Sequence, residues 1–215
     1  PELGHRLYRV VKRTVDIVAA GGALVLLFIP GVILSVVICI KSPGASPLYS
    51  QWRVGRVRKD GTFYLFKIYK FRSMSMDSEK NGARLAAKGD KRVTPVGKII
   101  RNIHFDELPQ LFNILKGDMS MVGPRPERQV IADQYAEEIP EFVFRTKVKA
   151  GLTGYAQVYG KYNTTPYDKL KFDITYIENY SLWLDVKIML LTFKILFQKE
   201  NTEGVDETQQ TALKD

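Results

Sequence analysis

The chain has 215 residues, 45% of them hydrophobic and 26% charged, enough to bury a core as one domain or as one domain with appendages. A formal charge of +9 and a pI near 9.5 point to an anionic partner, which on charge alone is a nucleic acid, a phosphorylated small molecule or the anionic face of a membrane. The single cysteine, Cys39, excludes an intrachain disulfide framework and a Cys-cluster metal site, and with only His5 and His104 present the sequence argues against zinc chemistry. A start at Pro1 in place of methionine suggests a fragment or a processed chain and leaves open whether upstream domains are missing.

The first element is the uncharged run IVAAGGALVLLFIPGVILSVVICI, Ile17 to Ile40, long enough to span a bilayer at 1.5 Å per residue. It does not fit a secretory signal, because it is too long and no small-residue cleavage site separates it from a polar chain. Pro30-Gly31 sits in its middle. Proline removes a helical hydrogen bond and clashes with the preceding turn, so two helical arms joined by a bend are expected. Basic residues flank both ends, His5, Arg6, Arg9, Lys12 and Arg13 before the run and Lys41, Arg53, Arg56, Arg58 and Lys59 after it. A simple span leaves its basic flank on one side only, so matched flanks favour a re-entrant hairpin with both ends on the cytoplasmic side. A kinked ordinary span is the alternative. Asp16 is placed to cap the first arm.

Beyond Lys41 the chain reads as a soluble-type domain. Two β-rich runs flank Asp60-Gly61, a hairpin signal. Along the second, Lys67, Tyr69 and Phe71 share one face, and Ile68, Lys70 and Arg72 the other. Lys70 and Arg72 could therefore meet one anion, or merely solvate an edge strand. Met76 to Arg92 is a polar surface loop able to act as a lid. VTPVGKIIRN opens a short helix that brings Arg101 near Asp106.

The stretch IHFDELPQLFN sets Asp106 and Glu107 side by side ahead of Pro109. Leu108, Leu111, Phe112 and Leu115 follow a helical period that stops at Lys116-Gly117. The plain reading makes Asp106 the N-cap of that helix. In GPRPER, two prolines fix the backbone around Arg125 and either pre-organise a guanidinium for phosphate or form a rigid turn. Glu127 to Glu138 reads as a helix, and FVFRTKVKAGLTGYAQVYGKYN as strand and glycine-bearing loop. SLWLDVKIMLLTFKILFQK is a helix too short and too charged to span, since Asp185, Lys187 and Lys194 interrupt it. It should lie in the membrane interface, with Trp183 at the headgroup level, or pack on the core. The tail from Glu200 to Asp215 is polar and expected to be disordered.

A carboxylate that attacks a phosphate diester needs cations to offset the repulsion between two anions. Arg101, Lys116 and Arg125 stand near Asp106 in sequence, and Mg²⁺ held by oxygen ligands and a pyrophosphate would complete such a site. A membrane hairpin beside it implies a lipid substrate.

From about Lys12 to Phe197 the chain resembles the bacterial sugar transferases of the monotopic polyprenyl-phosphate phosphoglycosyl transferase type. The resemblance rests on KRTVDIV, VGR, KIYKFRSM, TPVGKIIR, DELPQLFNILKGDMSMVGPRP, GLTGYAQV and YIENYSLWLDVKI, in that order. It implies that Asp106 attacks the β-phosphate of a UDP-sugar in a Mg²⁺-dependent step, with UMP released and a phosphosugar left on the enzyme. A polyprenyl phosphate, usually undecaprenyl phosphate, then takes up the phosphosugar as a polyprenyl-diphosphate sugar, the first membrane step of polysaccharide or glycoconjugate assembly. By the same resemblance Glu107 is the partner of Asp106, Arg101 and Arg125 are phosphate-binding positions, and Pro30 is the helix-breaking proline of the re-entrant hairpin; Lys70 and Arg72, on one face of their strand, are further substrate-binding candidates and Asp106 the candidate metal ligand. Two positions depart from the pattern: Ala150 stands where many members have proline, and Lys161 where many have arginine. Lysine lacks the planar fork of arginine, which puts the nucleotide or sugar contacts of this loop in question.

The expected fold class is α/β, of α+β type, a compact membrane-associated domain with a re-entrant helix hairpin over residues 1–41, a catalytic domain over 42–198 and a flexible tail over 199–215. Expected partners are a UDP-sugar, a polyprenyl phosphate and membrane lipids, with no nucleic acid, at the cytoplasmic face of the bacterial inner membrane. The identity of the sugar and the oligomeric state stay open. The competing non-enzymatic expectation is a basic membrane-binding module of a polysaccharide assembly complex, with Asp106 only a helix cap.

Overall fold

A computed structural model describes residues 6–58, 62–79, 90–160 and 164–196. The two expected arms form one helix, α1 (Arg6–Lys41), 36 residues long with Pro30 inside it. The proline ring withholds a hydrogen bond from the Leu26 carbonyl without ending the helix, so the hairpin is not present as two separate helices. Lys12, Asp16, Ala20 and Ile38 are buried, with Ala23, Leu24 and Leu34 packed among the core residues. Spacings of three and four put these on one face, which lies against the rest of the molecule. The opposite face leaves Val18, Val25, Leu26, Phe28, Ile29 and Ile33 each more than half exposed. Among the described residues α1 is the one helix long and apolar enough to cross a membrane.

The polar residues of α1 dock it. Asp16 is not a cap but lies inside the helix, accepting hydrogen bonds from Ser120 Oγ and the Met121 N–H, both at 2.9 Å. Lys12 Nζ is 2.6 Å from Asp185 and also donates to the Val122 carbonyl at 3.3 Å. Arg13 donates to the carbonyls of Ile114 and Leu115, at 2.5 and 2.7 Å, on the last turn of a short helix, the position where a cation complements the helix dipole.

Strands β1 (Leu48–Val57) and β2 (Phe63–Phe71) pair antiparallel, with Arg53 opposite Phe66, Gln51 opposite Ile68, Tyr49 opposite Lys70, and a bulge between Val54 and Val57. That register sets Arg53, Gln51 and Lys70 on the face that buries Phe66 and Ile68. The expected Asp60-Gly61 turn, residues 80–89 of the expected polar loop, Lys161 and the expected tail lie outside the described residues.

Helix α2 (Pro95–Asn102) begins as its sequence dictates: Thr94 accepts a hydrogen bond from the Gly97 N–H at 2.9 Å and Pro95 takes a position that needs no donor. Helix α3 (Gln110–Lys116) ends at Gly117, whose φ of 98° closes the turn. Its buried face is Gln110, Leu111, Asn113 and Ile114, so Phe112, 58% exposed, departs from the expected apolar face. Buried Asn113 accepts from the Tyr69 N–H at 3.1 Å and donates to the Lys67 carbonyl at 2.7 Å, and so joins α3 to β2. Strand β3 (Ser120–Val122) pairs in parallel with β4 (Gly151–Thr153), and α4 (Gln129–Glu138) lies between them in sequence.

The strand expected from Phe142 is instead a 3₁₀ run, Pro140–Lys147. Its buried residues, Phe142 and Arg145, are three apart, which suits a helical turn and not an alternating strand. Helices α5 (Tyr155–Tyr159), α6 (Pro166–Glu178) and α7 (Leu182–Leu196) complete the described residues. Helix α6, opened by a Thr165 cap and Pro166, has no counterpart in the sequence expectations. Helix α7 buries Asp185 and Ile188 and exposes Trp183, Leu190 and Phe193, so it packs on the core by one face and offers an apolar second face.

The Lys12–Asp185 pair is buried, its side chains 9% and 6% exposed. Asp185→Asn strands the ammonium and should cost about 3–5 kcal/mol, while Lys12→Met with Asp185→Leu should recover most of that loss. Thermal denaturation in detergent checks both, and equal melting of the single and double variants would contradict the coupling.

Candidate active site

The carboxylates are delivered by a short relay after β2. Gly97 of α2 lies against the backbone of Ser73, where an added Cβ would stand 1.9 Å from the Ser73 carbonyl oxygen, so only glycine permits this approach. Helix α2 then ends, and His104 turns the chain in the left-handed region, with φ of 54°. Phe105–Glu107 is a single 3₁₀ turn that buries both Asp106 and Glu107, each 8% exposed. Asp106 caps nothing. The residue before α3 is Pro109, the residue before the 3₁₀ turn is His104, and neither end is held by a side-chain cap.

The two neighbours have different surroundings. Lys70 Nζ is 2.7 Å from Glu107 Oε1. Arg125 reaches the same oxygen with Nη2 at 2.6 Å and Oε2 with Nη1 at 3.3 Å, a forked contact. Burial raises the Glu107 carboxyl, but Arg125 and then Lys70 outweigh it and hold the group well below its usual value. No hydrogen bond or ion pair within the structure holds the Asp106 carboxylate among the described residues. Burial raises this carboxyl above the usual value, Lys70 favours its charged form, the Glu107 charge opposes it and Arg101 favours it. One carboxylate is thus a fixed anion, and the other is desolvated, unpaired and next to the same cations.

Of the residues expected at the site, Asp106, Glu107, Lys70 and Arg125 come together, and Arg101 acts on Asp106 through its charge without a direct contact. Arg72 does not join Lys70. It lies just past β2, donates to the Ser42 carbonyl at the end of α1 and leaves Nε and Nη1 buried without partners. The alternation that pairs it with Lys70 ends with the strand at Phe71. Lys116 pairs with Asp118 at 3.3 Å and is also absent from the site. Pro30 lies within α1. Ala150 is buried in the core cluster with Phe66, Leu111 and Ile114, and its carbonyl accepts from the Ser120 N–H at 2.9 Å, which is a packing role.

Arg125 is held from behind. Gly123 N–H donates to the Thr153 carbonyl and Gly151 N–H to the Pro124 carbonyl, both at 2.9 Å, which locks the Gly-Pro-Arg-Pro turn onto β4. Arg145 donates to the Arg125 carbonyl at 3.0 Å while its Nε meets buried Asp173 at 2.9 Å. Arg145 and Asp173 are supports that the sequence expectations left out, and Lys12, Arg13 and Asp16, expected as a basic flank and a cap, are docking supports instead. The Phe142-x-x-Arg145 spacing was the available signal for the first, and the placement of three charges at the entry of an apolar helix for the trio.

No cluster of three or more His, Cys, Asp or Glu side chains suited to a metal occurs among the described residues. Both Glu107 oxygens are occupied, so Asp106 is the carboxylate with free oxygens. Mg²⁺ is commonly held by one or two carboxylates with substrate phosphates, and one free carboxylate beside Lys70 and Arg125 fits that demand.

Comparison with known proteins gives the family. A family model described as Bacterial sugar transferase matches residues 7–199. The UDP-N-acetylgalactosamine-undecaprenyl-phosphate N-acetylgalactosaminephosphotransferase of Aeromonas hydrophila is 45% identical over 193 residues, 88% of this chain and 44% of that protein. The UDP-glucose:undecaprenyl-phosphate glucose-1-phosphate transferase of Caulobacter vibrioides is 41% identical over 196 residues, 88% of this chain and 71% of that protein. A putative undecaprenyl-phosphate N-acetylgalactosaminyl 1-phosphate transferase of Bacillus subtilis is 48% identical over 138 residues, 64% of this chain and 74% of that protein. Against the Aeromonas protein and the galactosyl transferase CpsE of Streptococcus agalactiae, the chain spans less than half of the relative's length, 44% and 42%. With a family match that runs almost from end to end, the chain belongs to the bacterial sugar transferases.

Proposed function

We propose that this chain transfers a sugar 1-phosphate from a UDP-sugar to a polyprenyl phosphate, undecaprenyl phosphate by analogy with the named relatives, through a phosphosugar bound to Asp106. The observation that carries this reading is the contrast between a clamped Glu107 and an unpaired, buried Asp106 beside it.

An Asp106 oxygen attacks the β-phosphorus, and the bond to the bridging oxygen breaks with its electron pair leaving on UMP. An oxygen of the lipid phosphate then attacks the same phosphorus, and the Asp106 carboxylate departs unchanged. Neither step needs a net proton. Glu107 keeps Lys70 and Arg125 at the place where phosphate charge gathers, so these cations are positioned before the substrate arrives. Asp106 and the substrate's phosphate oxygens are the ligands this site would offer Mg²⁺, which when bound neutralises the diphosphate and polarises its phosphoryl oxygens.

The lipid acceptor explains the outward apolar face of α1, whose other face is fastened to the catalytic elements by Lys12, Arg13 and Asp16. The packing of α1 on both sides of Pro30, through Ala20 and through Ile38, supports a reading in which both its ends face the cytoplasm and the Pro30 region dips into one leaflet. Single-cysteine labelling at Arg9 and Ser50, in a background without Cys39, should report both positions on the cytoplasmic side. Periplasmic labelling of one of them would establish a span.

Wild type given radiolabelled UDP-sugar and Mg²⁺ without acceptor should retain label, and Asp106→Asn, isosteric but uncharged, should be folded and retain none. Glu107→Gln should fold and lose most of the activity, because its two cations are released. Label retained by Asp106→Asn to the wild-type level would remove Asp106 from the chemistry.

The labelling rate should also fall on acidification, since the attacking form is the carboxylate. Because burial raises the Asp106 carboxyl, this loss should set in at a pH above that of an ordinary aspartate, while Glu107, held low, stays charged. Lys70 favours the ionised Asp106, so Lys70→Met should move the acid limb further up. A limb that stays in place or moves down in that variant would show that another group sets it.

A further inference from the structure

Arg53 is a cation whose position the proposed chemistry has not used. It is half-buried on β1, on the face that carries Lys70. Its guanidinium meets only neutral oxygens: Nη1 donates to the Pro126 carbonyl at 3.2 Å and Nη2 to Gln51 Oε1 at 2.8 Å. Nε is buried without a partner, and no ion pair reaches the group among the described residues. The Pro126 carbonyl belongs to the residue after Arg125, so the two guanidiniums flank one loop. Burial and then the nearby Arg125 lower Arg53 to about 10, against the charge of Glu127, which raises it. Its neighbour Glu127 is engaged with Arg145 at 3.6 Å. Buried charges are ordinarily paired. A cation left unpaired beside a second, forked one is suited to an anion brought from outside.

We propose that Arg53 and Arg125 form one phosphate seat used twice, first by the phosphate of the departing nucleoside monophosphate and then by the phosphate of the lipid acceptor. This rests on the two-step reaction proposed above and follows from its geometry. In-line displacement places the leaving oxygen opposite Asp106. In the second step Asp106 is the leaving group, so the incoming lipid phosphate must approach from the side that the nucleotide vacated. The same two phosphate positions are therefore filled in turn, and a single pair of cations serves both. In each step one P–O bond forms as another breaks, and the departing phosphate carries away the electron pair it needs, so the seat supplies charge and takes part in no proton transfer.

A purely structural role for Arg53, as a staple between β1 and the Pro126 carbonyl, predicts something different. Arg53→Gln keeps an N–H donor for that carbonyl and removes the charge, and Arg53→Lys keeps charge and donor but loses the fork. With UMP and a short-chain polyprenyl phosphate as probes, Arg53→Gln should melt near the wild-type temperature, bind UMP on the order of tenfold more weakly, and raise KM for the polyprenyl phosphate by a similar factor. Arg53→Lys should regain part of both losses. In wild type the polyprenyl phosphate should compete with UMP for the free enzyme, a measurement that stands even if the variants fold poorly. Unchanged UMP affinity in a folded Arg53→Gln would reduce Arg53 to a staple, an effect on one ligand alone would end the shared seat, and non-competitive binding in wild type would do the same. Wild type that binds UMP competitively yet retains no label counts against the covalent mechanism alone, because these binding measurements need no turnover.

Discussion

Glu107 is the residue on which the site depends. Its carboxylate accepts Lys70 from β2 and Arg125 from the turn after β3, so three segments distant in sequence are joined at one buried anion. Such a cluster costs desolvation for every charge in it, and the cost is met only while all partners stay in place. The rest of the fold keeps them there. Asn113 extends β2 as a strand neighbour would, Arg145 holds the Arg125 backbone, and the paired β3 and β4 fix the Gly-Pro-Arg-Pro turn. Removing Glu107 would therefore do more than delete one charge, since it would leave two cations adjacent with nothing between them.

The apolar helix belongs to the same body. Lys12 reaches the Val122 carbonyl, Asp16 holds Ser120 and the Met121 N–H, and Arg13 closes the last turn of α3. These contacts lie on the two elements that flank the carboxylates: α3 follows Glu107, and β3 leads to Arg125. An independent anchor would need only a linker to its catalytic domain. Here α1 supplies part of the framework, so on the proposed reaction a lipid surface that held α1 would also fix the height and orientation of the site relative to the lipid phosphates.

What could be read in the sequence was what local rules govern. The short helix opened by VTPVGKIIRN, the stop at Gly117, the hairpin strands and the long apolar run follow from propensity and periodicity, and each has its counterpart in the fold. The Asp-Glu pair and Arg125 stood out because their chemistry and the quoted motifs coincide. Expectations failed where tertiary contacts overrule a local pattern. Arg72 continues the alternation of β2 by one residue, but the strand has ended and the chain turns toward α1. Phe142–Lys147 is as β-prone as a strand, yet Phe142 and Arg145 find their partners in Tyr135 and Asp173 at helical spacing. Asp16 looks like a cap from the chain alone, and its partner Ser120 lies 104 residues away. No local rule carries that distance.

The adjacency of Asp106 and Glu107 follows from the same physics. On a 3₁₀ turn, with three residues per turn, consecutive side chains diverge by about 120°. The two neighbouring carboxylates on that turn do not share one direction, so while Glu107 takes the direct contacts with Lys70 and Arg125, Asp106 feels the charge of Lys70 and keeps its oxygens free. Placing the fixed anion next in sequence ties the orientation of the free one to it, at the separation of one residue. A fixed anion elsewhere in the chain could gather the same cations, but it would not set the direction in which Asp106 points.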